Sequence, residues 1–274
     1  MSDPLALNGS SETGRAEAAR AAIARAARAT GVDFQYLLAQ ARLESSLDPQ
    51  ARAGTSSAAG LYQFTDATWL RTLERHGASH GLDWANTVIS GGRLADPALR
   101  SQIMGLRFDA ATSAVMAAEL ARDNGADLAA ALGREPDGSE LYLAHFLGAE
   151  GATRFLTALA SDPGQSAVAL MPRAAAANPS IFYDDGAPRS VSAVMGVIRG
   201  RFDAAMAEGG SGGTVPAWTE GGGLPPKFHS AGVAENRPQT RSMAETLRTT
   251  FGGADTALPA NVRAAYARLA RFDV

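Results

Sequence analysis

Long stretches rich in alanine and leucine, interrupted by glycine and proline, constrain the fold of this chain more than any other feature. Alanine and leucine are strong helix formers, whereas the β-branched residues that favour strands occur here only in short runs. The hydrophobic content of 46% is ordinary for a globular protein and is sufficient for a sizeable core. The sequence therefore predicts an all-α fold.

The chain divides by composition into four segments. Residues 1–13 form a polar leader, residues 14–207 carry the helical patterns of one globular domain, and residues 208–226 form a Gly/Pro-rich linker. Residues 227–274 contain two short helical patterns with few apolar positions. Because such a tail cannot bury a core of its own, we expect a flexible or docking segment.

Helix start and stop signals delimit the predicted elements of the globular part. The Ala/Arg-rich stretch EAARAAIARAARATG predicts a helix that ends at Gly31, and Asp33 and Thr65 are expected to cap the two helices that follow them. Five further helices are predicted. One starts at Pro97, one ends near Asn124-Gly125, one contains LYLAHFLG, one covers Ala152–Ala160, and one starts after Ser190.

The charge balance and the lack of cysteine exclude several classes of function. The net charge is -3 and the charges of both signs are interspersed, so no basic surface for nucleic acid is expected. A chain without cysteine has no disulfide, no thiolate zinc site and no cysteine nucleophile. The first residues show no signal-peptide pattern, and no apolar run approaches the ~20 residues of a transmembrane helix.

One carboxylate stands on an apolar helical stripe. Phe34, Leu37, Leu38 and Ala41 follow one face of the second predicted helix, and continuing that face by three residues reaches Glu44. Burial disfavours the charged form of a carboxyl group, and a protonated carboxyl is what a general acid requires. The alternative is that the helix ends here and the side chain is solvated or paired with an arginine.

The sequence that follows this glutamate forms an ordered set of motifs. In order, the set consists of Glu44-Ser45, Asp48-Pro49, a loop of small residues at 53–59, and Gly60-Leu61-Tyr62-Gln63. This set resembles the soluble lytic transglycosylases, and the resemblance extends over roughly residues 20–200. It implies a lysozyme-like domain with a goose-lysozyme-like fold, in which Glu44 is the catalytic acid/base.

The resemblance also indicates residues that bind substrate. Gly60 would let the backbone approach a sugar closely, and Gln63 offers a donor and an acceptor to N-acetyl or hydroxyl groups. The rings of Tyr62 and Phe64 are candidates for stacking on sugar faces, although one of the two is expected in the core. Ser56 lies where such loops place a hydroxyl near the reacting sugar.

The third element of the family pattern departs from its usual form. The family has an aromatic residue, asparagine, a small residue and glycine, and the aromatic hydroxyl touches the catalytic glutamate. The aligned residues here begin at His145, and Tyr142 lies one turn before it on the same helical face. Either side chain can hydrogen-bond Glu44; the alternative is that both are core residues with satisfied polar groups.

We expect neither a metal nor a cofactor. His76 and His80 have a spacing seen in metal sites, but Gly77 and Gly81 would break the helix that aligns them. No phosphate-binding glycine loop and no nucleophile elbow occurs in the sequence.

The resemblance implies a specific reaction on peptidoglycan strands. A lytic transglycosylase cleaves the β-1,4 bond between MurNAc and GlcNAc and leaves 1,6-anhydroMurNAc. Asp48 and Asp66 are the nearest candidates for a second carboxylate, and each has a structural explanation, so a mechanism with Glu44 alone is favoured. Two alternatives remain: a hydrolytic muramidase, and a non-catalytic wall-binding assembly module.

The expected place of action is the periplasm or cell envelope. The tail would suit docking to a flagellar, secretion-apparatus or phage component.

Overall fold

In the computed structural model, the backbone is described for residues 4–54 and 56–210, and side chains for 14–54, 56–85 and 87–208. Most of the predicted linker (208–226) and all of the predicted tail (227–274) lie outside the described residues. The described part is mostly helical, which confirms the all-α prediction.

The α-helices are α1 Pro4–Thr30, α2 Phe34–Ser45, α3 Asp66–His76, α4 Ala85–Val88, α5 Arg100–Gly105, α6 Ala110–Leu132, α7 Gly138–Leu147, α8 Ala149–Ser161, α9 Ala167–Leu170, α10 Pro172–Ala177, α11 Pro179–Phe182 and α12 Val191–Gly210. Short 3-10 helices cover Gly77–His80, Pro97–Leu99 and Leu106–Phe108. Two antiparallel hairpins pair β1 Ile89–Ser90 with β2 Arg93–Leu94, and β3 Tyr183–Asp184 with β4 Ala187–Pro188. No helix of the described chain is both long and apolar enough to span a membrane.

Side-chain caps fix where the principal helices begin. The Asp33 carboxylate accepts a hydrogen bond from the backbone N–H of Tyr36, and the Thr65 hydroxyl accepts one from that of Thr68. These two contacts confirm the predicted starts of α2 and α3, since each satisfies a backbone donor that the first turn leaves unpaired. At α7, Asp137 and Glu140 form a reciprocal capping box.

Two helix boundaries differ from the sequence prediction. The helix predicted to end near Asn124-Gly125 continues to Leu132 and ends at Gly133, whose φ of 69° is left-handed. Tertiary packing of α6 against α1 and α7 overrides the low helix propensity of Asn124 and Gly125, and a Cβ atom built at Gly125 would lie 3.8 Å from Leu141 of α7. At the other end of the chain, α12 continues three residues into the predicted linker and ends at Gly210.

The first helix also starts earlier than predicted. α1 begins at Pro4, so the backbone of residues 4–13 is part of this helix rather than a separate leader.

The helices pack so that α2 is buried against several neighbours. α1 packs along α6, α12 packs along α2, and α7 contacts α6, α8 and α12. Large aromatic side chains fill the core, and Trp69 donates its indole N–H to the carbonyl of Ile103 at 2.9 Å. This packing brings the C-terminal end of α2, where Glu44 lies, against α7.

Candidate active site

Glu44 lies in the last turn of α2 and is buried. Its side chain is only 2% exposed, which excludes the alternative of a solvated carboxylate. Ser46 ends the helix in the left-handed conformation, with a φ of 55°. The hydroxyl of Ser45 donates to the carbonyl of Leu61 at 2.8 Å and so ties the end of α2 to the Gly60–Gln63 segment.

Two side chains of α7 reach the same oxygen of Glu44. The Tyr142 hydroxyl donates to Oε1 at 3.2 Å, and Nε2 of His145 lies 3.3 Å from that atom. Tyr142 and His145 are three residues apart and therefore share a helical face. The structure thus brings together the three residues that the sequence had grouped.

Burial and charge keep the nearby tyrosines protonated. Burial raises the pKa of Tyr142 well above its usual value, and the negative charge of Glu44 raises it further. The same two causes, in the same order, raise the pKa of Tyr36 on α2. Tyr142 therefore remains a neutral hydroxyl at every pH at which the protein would work, and can donate to Glu44 throughout.

Gly60 has a structural role that differs from the predicted one. Its φ is +80°, and a Cβ atom built there would lie 2.0 Å from the backbone oxygen of Arg107. Its N–H donates to the carbonyl of Ala51 at 2.8 Å. The prediction that glycine is needed here for approach to a sugar is therefore wrong, because the backbone of Arg107 occupies that space.

Gln63 also holds the loop together. It adopts a left-handed φ of 47°, and its Nε2 donates to the carbonyls of Gly60 at 2.9 Å and Ala51 at 3.3 Å. Its amide donor is thus used inside the protein, which corrects the prediction that both halves of the amide bind substrate. Only its carbonyl oxygen remains a candidate for sugar binding.

Tyr62 belongs to the core. The ring is fully buried, and its hydroxyl donates to the carbonyl of Leu37 at 3.1 Å. Phe64 is buried as well and contacts Trp69 edge to face, with ring centroids 5.0 Å apart. Neither ring can lie against a sugar, so the prediction that Tyr62 binds substrate is wrong.

Ser56 is exposed on the loop between α2 and α3. Its hydroxyl accepts a weak hydrogen bond from the N–H of Ala58 at 3.3 Å. Its role toward substrate remains a prediction.

Arg107 is a residue that the sequence motifs did not indicate. Its Nη1 donates to the carbonyls of Ser57 at 2.7 Å and Phe64 at 2.9 Å, and it pairs with Asp66 at 2.9 Å. Burial lowers the pKa of Arg107, whereas the charge of Asp66 raises it. This buried guanidinium holds both ends of the Ser57–Phe64 segment. In the sequence, Arg107 stands between Leu106 and Phe108, and no motif marks it.

The two candidates for a second carboxylate both have structural partners. Asp66 pairs with Arg107 and Arg100, and the Asp48 carboxylate accepts from the N–H of Gln50 at 2.9 Å.

The two histidines of the α3 region contact carboxylates of α6. Nε2 of His76 lies 2.8 Å from Asp123, and Nε2 of His80 lies 2.8 Å from Glu119. As expected, the helix breaks between them, since α3 ends at His76 and a 3-10 helix follows. Within the described residues, no group of three or more His, Asp or Glu side chains is arranged to hold a metal ion.

Comparison with known families identifies the domain that carries this glutamate. Residues 21–89 match the family described as the transglycosylase SLT domain. This part of the chain is similar to an SLT domain. The match confirms the resemblance to soluble lytic transglycosylases of the lysozyme-like superfamily, which act on peptidoglycan of the cell wall. It contains Glu44 and Gly60–Gln63, whereas Tyr142 and His145 lie beyond its end.

Proposed function

We propose that this SLT-domain protein is a lytic transglycosylase that cleaves the β-1,4 bond between MurNAc and GlcNAc and forms 1,6-anhydroMurNAc. Glu44 acts as the single acid and base. The observation that carries this proposal is the burial of Glu44, with Tyr142 and His145 both in contact with one of its oxygens. Glu44 itself lies within the stretch that matches the SLT domain.

The first step is proton transfer from Glu44 to the glycosidic oxygen. Because Tyr142 and His145 both contact Oε1, we assign Oε2 as the atom that delivers the proton. The bond between C1 of MurNAc and the glycosidic oxygen then breaks, and GlcNAc leaves with the proton on its new hydroxyl. The N-acetyl group of MurNAc stabilises the positive charge that develops at C1.

The second step closes the anhydro ring. The C6 hydroxyl of the same MurNAc attacks C1, and Glu44, now a carboxylate, accepts the hydroxyl proton. Glu44 is thereby protonated again and no water is consumed. A neutral Tyr142 hydroxyl suits both steps, because it can donate to the carboxylate and stay bonded to the carboxylic acid.

A hydrolytic mechanism fits the acidic residues less well. A retaining hydrolase needs a second carboxylate about 5–5.5 Å from the first, and an inverting one needs it about 6.5–9.5 Å away. Asp48 and Asp66 are both engaged in contacts that stabilise the fold. An intramolecular hydroxyl also has an advantage of several kcal/mol over a free water, since it is already held near C1.

We also propose roles for the substrate-binding residues and for the other segments of the chain. Ser56 and the carbonyl oxygen of Gln63 would contact the sugars beside the scissile bond. Residues 14–207 would form the catalytic domain, acting in the periplasm or cell envelope. Residues 208–226 would link it to a docking tail, residues 227–274, that binds a larger envelope assembly.

The experiment is an isosteric replacement of the proposed acid. Glu44→Gln should keep the fold and release no muropeptides from purified sacculi above background. Glu119→Gln is the matched control, since Glu119 is also a buried carboxylate but lies on α6 against His80. The control should retain activity. Retention of more than a few per cent of wild-type activity by folded Glu44→Gln contradicts the proposal.

A further inference from the structure

Four rings from three helices form a continuous row beside Glu44. Phe202 of α12 lies between two tyrosines, with ring centroids 5.7 Å from Tyr36 and 5.6 Å from Tyr142. Tyr142 in turn stacks on His145 at 6.2 Å, with the ring planes 21° apart. The row therefore ends on the two residues that contact Glu44.

The Phe202 ring is confined. It is buried, and a Cβ atom at Gly138, the first residue of α7, would lie 2.9 Å from its Cε1. The ring thus fills the space that a larger residue at Gly138 would need, and cannot shift toward the start of α7. Tyr36 and Tyr142 confine it on the α2 and α7 sides.

Polar contacts fix helix α12 both before and after Phe202. Three residues before Phe202, Arg199 pairs with Asp137, the N-cap of α7, at 2.8 Å. Three residues after it, the carbonyl of Ala205 accepts from Arg42 of α2 at 3.1 Å. α12 is therefore attached to the helix that carries Glu44 and to the helix that carries Tyr142.

Phe202 has neither a hydroxyl nor a charge, so it makes no hydrogen bond or ion pair with Glu44 and would act on it through the neighbours that it positions. The Tyr142 hydroxyl donates at 3.2 Å, which is already long for an O–H···O hydrogen bond. A small tilt of the Tyr142 ring would lose this contact. Stacking at 25° between the ring planes of Phe202 and Tyr142 opposes such a tilt.

We propose that Phe202 is a positioning residue that holds the Tyr142 hydroxyl on Glu44. Helix α12, which lies outside the SLT match, would thereby complete the active site. This inference rests on the proposed catalytic role of Glu44. Because Phe202 acts through Tyr142 and not on substrate, its loss should lower kcat and leave KM nearly unchanged.

A double-mutant cycle on soluble, uncross-linked peptidoglycan strands tests the proposal. Phe202→Leu should lower kcat about tenfold, the scale of losing one hydrogen bond to a charged group, with KM within about twofold. Phe202→Leu combined with Tyr142→Phe should be no slower than Tyr142→Phe alone, to within about twofold. Independent effects that multiply in the double variant would overturn the proposal.

Phe155→Leu is the matched control for lost packing. Phe155 is a fully buried phenylalanine of α8 that takes no part in the row of rings. We expect it to lower the melting temperature as Phe202→Leu does, but to leave kcat unchanged. An equal loss of kcat in both variants would make Phe202 an ordinary core residue.

Gly138→Ala provides a second variant if Phe202→Leu does not fold. The added methyl group would push against the Phe202 ring, whose atoms are the nearest to it. We expect kcat to fall with KM unchanged, and the fall to disappear when Tyr142 is already phenylalanine. An unchanged kcat in folded Gly138→Ala overturns the proposal.

An NMR measurement separates this inference from the proposed reaction, because it needs no turnover. In protein labelled with 13Cζ-tyrosine, Glu44→Gln should shift the Tyr142 resonance, which Tyr142→Phe identifies by its loss. In the Phe202→Leu background, Glu44→Gln should no longer shift it. A shift that persists overturns the role of Phe202, whatever reaction the protein catalyses, whereas absence of muropeptides from the wild type contradicts only the proposed function.

Discussion

The hydroxyl of Tyr142 donates to Oε1 of Glu44 at 3.2 Å, across a separation of 98 residues in sequence. From the sequence, the family's aromatic position is expected at His145, yet the hydroxyl comes from the residue one helical turn earlier. Both side chains reach the same oxygen because they share a face of α7. Although the sequence differs from the expected motif, an aromatic hydroxyl therefore still contacts the glutamate.

This geometry predicts unequal effects of removing the two partners. Tyr142→Phe should lower kcat about 10- to 100-fold, since a hydrogen bond to a charged group contributes about 1.5–3 kcal/mol. His145→Phe should cost less, because the Tyr142 hydroxyl can bond Glu44 in either protonation state, whereas His145 pairs with Glu44 as an ion only when protonated. Turnover of all variants would be measured on purified sacculi.

Tyr62→Phe serves as the control for this comparison. It also removes a buried hydroxyl, which donates to the carbonyl of Leu37 rather than to Glu44. Its stability should fall by about 1 kcal/mol without a change in kcat. If Tyr142→Phe and His145→Phe both match the wild type, neither residue assists Glu44.

A second prediction concerns the loop that Gly60 anchors. Alanine at a left-handed φ costs about 1–2 kcal/mol. Gly60→Ala should lower the free energy of unfolding by about 1–3 kcal/mol beyond this backbone cost, because its Cβ would lie 2.0 Å from the Arg107 oxygen. The measurement is the free energy of unfolding in urea.

Gly81→Ala is the matched control, with a similar φ of +77° and nothing within 4 Å of the added Cβ. It should show the backbone cost alone. Equal losses in the two variants would mean that the backbone of Arg107 can move away, and that Gly60 is not required for close packing.

The pH dependence of stability follows from the buried tyrosines. Burial raises the pKa values of Tyr36, Tyr62 and Tyr142 above the ordinary value near 10. In the unfolded chain these groups ionise at about pH 10, whereas in the folded protein they stay neutral. Their contribution to stability is therefore fully present below that pH and is lost as the pH rises above it.

Absorbance at 295 nm as a function of pH would check this expectation. At least three tyrosines should ionise only in the transition that unfolds the protein. Ionisation of all tyrosines near pH 10 with retained helical circular dichroism would contradict the burial of these three.

Local signals in the sequence were sufficient for the starts of α2 and α3 and for the position of Glu44. The caps Asp33 and Thr65 act on backbone groups three residues away, so the information lies within one turn. The apolar stripe of α2 depends on period alone and indicated that Glu44 would be buried. The contact between Tyr142 and Glu44 could be predicted as a candidate, because Tyr142 lies one helical turn before His145.

The errors concern residues whose partners are distant in sequence. Gly60 is determined by the backbone of Arg107, and Tyr62 by a carbonyl 25 residues away. Neither partner belongs to a recognisable motif, so substrate appeared to be the simplest explanation for both residues. Phe202 could not be recognised either, because an apolar residue on a helix is ordinarily core, and only the ring geometry distinguishes it.

The most direct test of the central claim is the mass of the products from purified sacculi. A mechanism with Glu44 alone and an internal C6 nucleophile yields muropeptides that end in 1,6-anhydroMurNAc. These products are lighter by one water than hydrolysed ones, lack a reducing end and resist borohydride. If the dominant products instead carry the extra water and are reduced by borohydride, the protein is a muramidase, and a second acid, first Asp48 or Asp66, must take part.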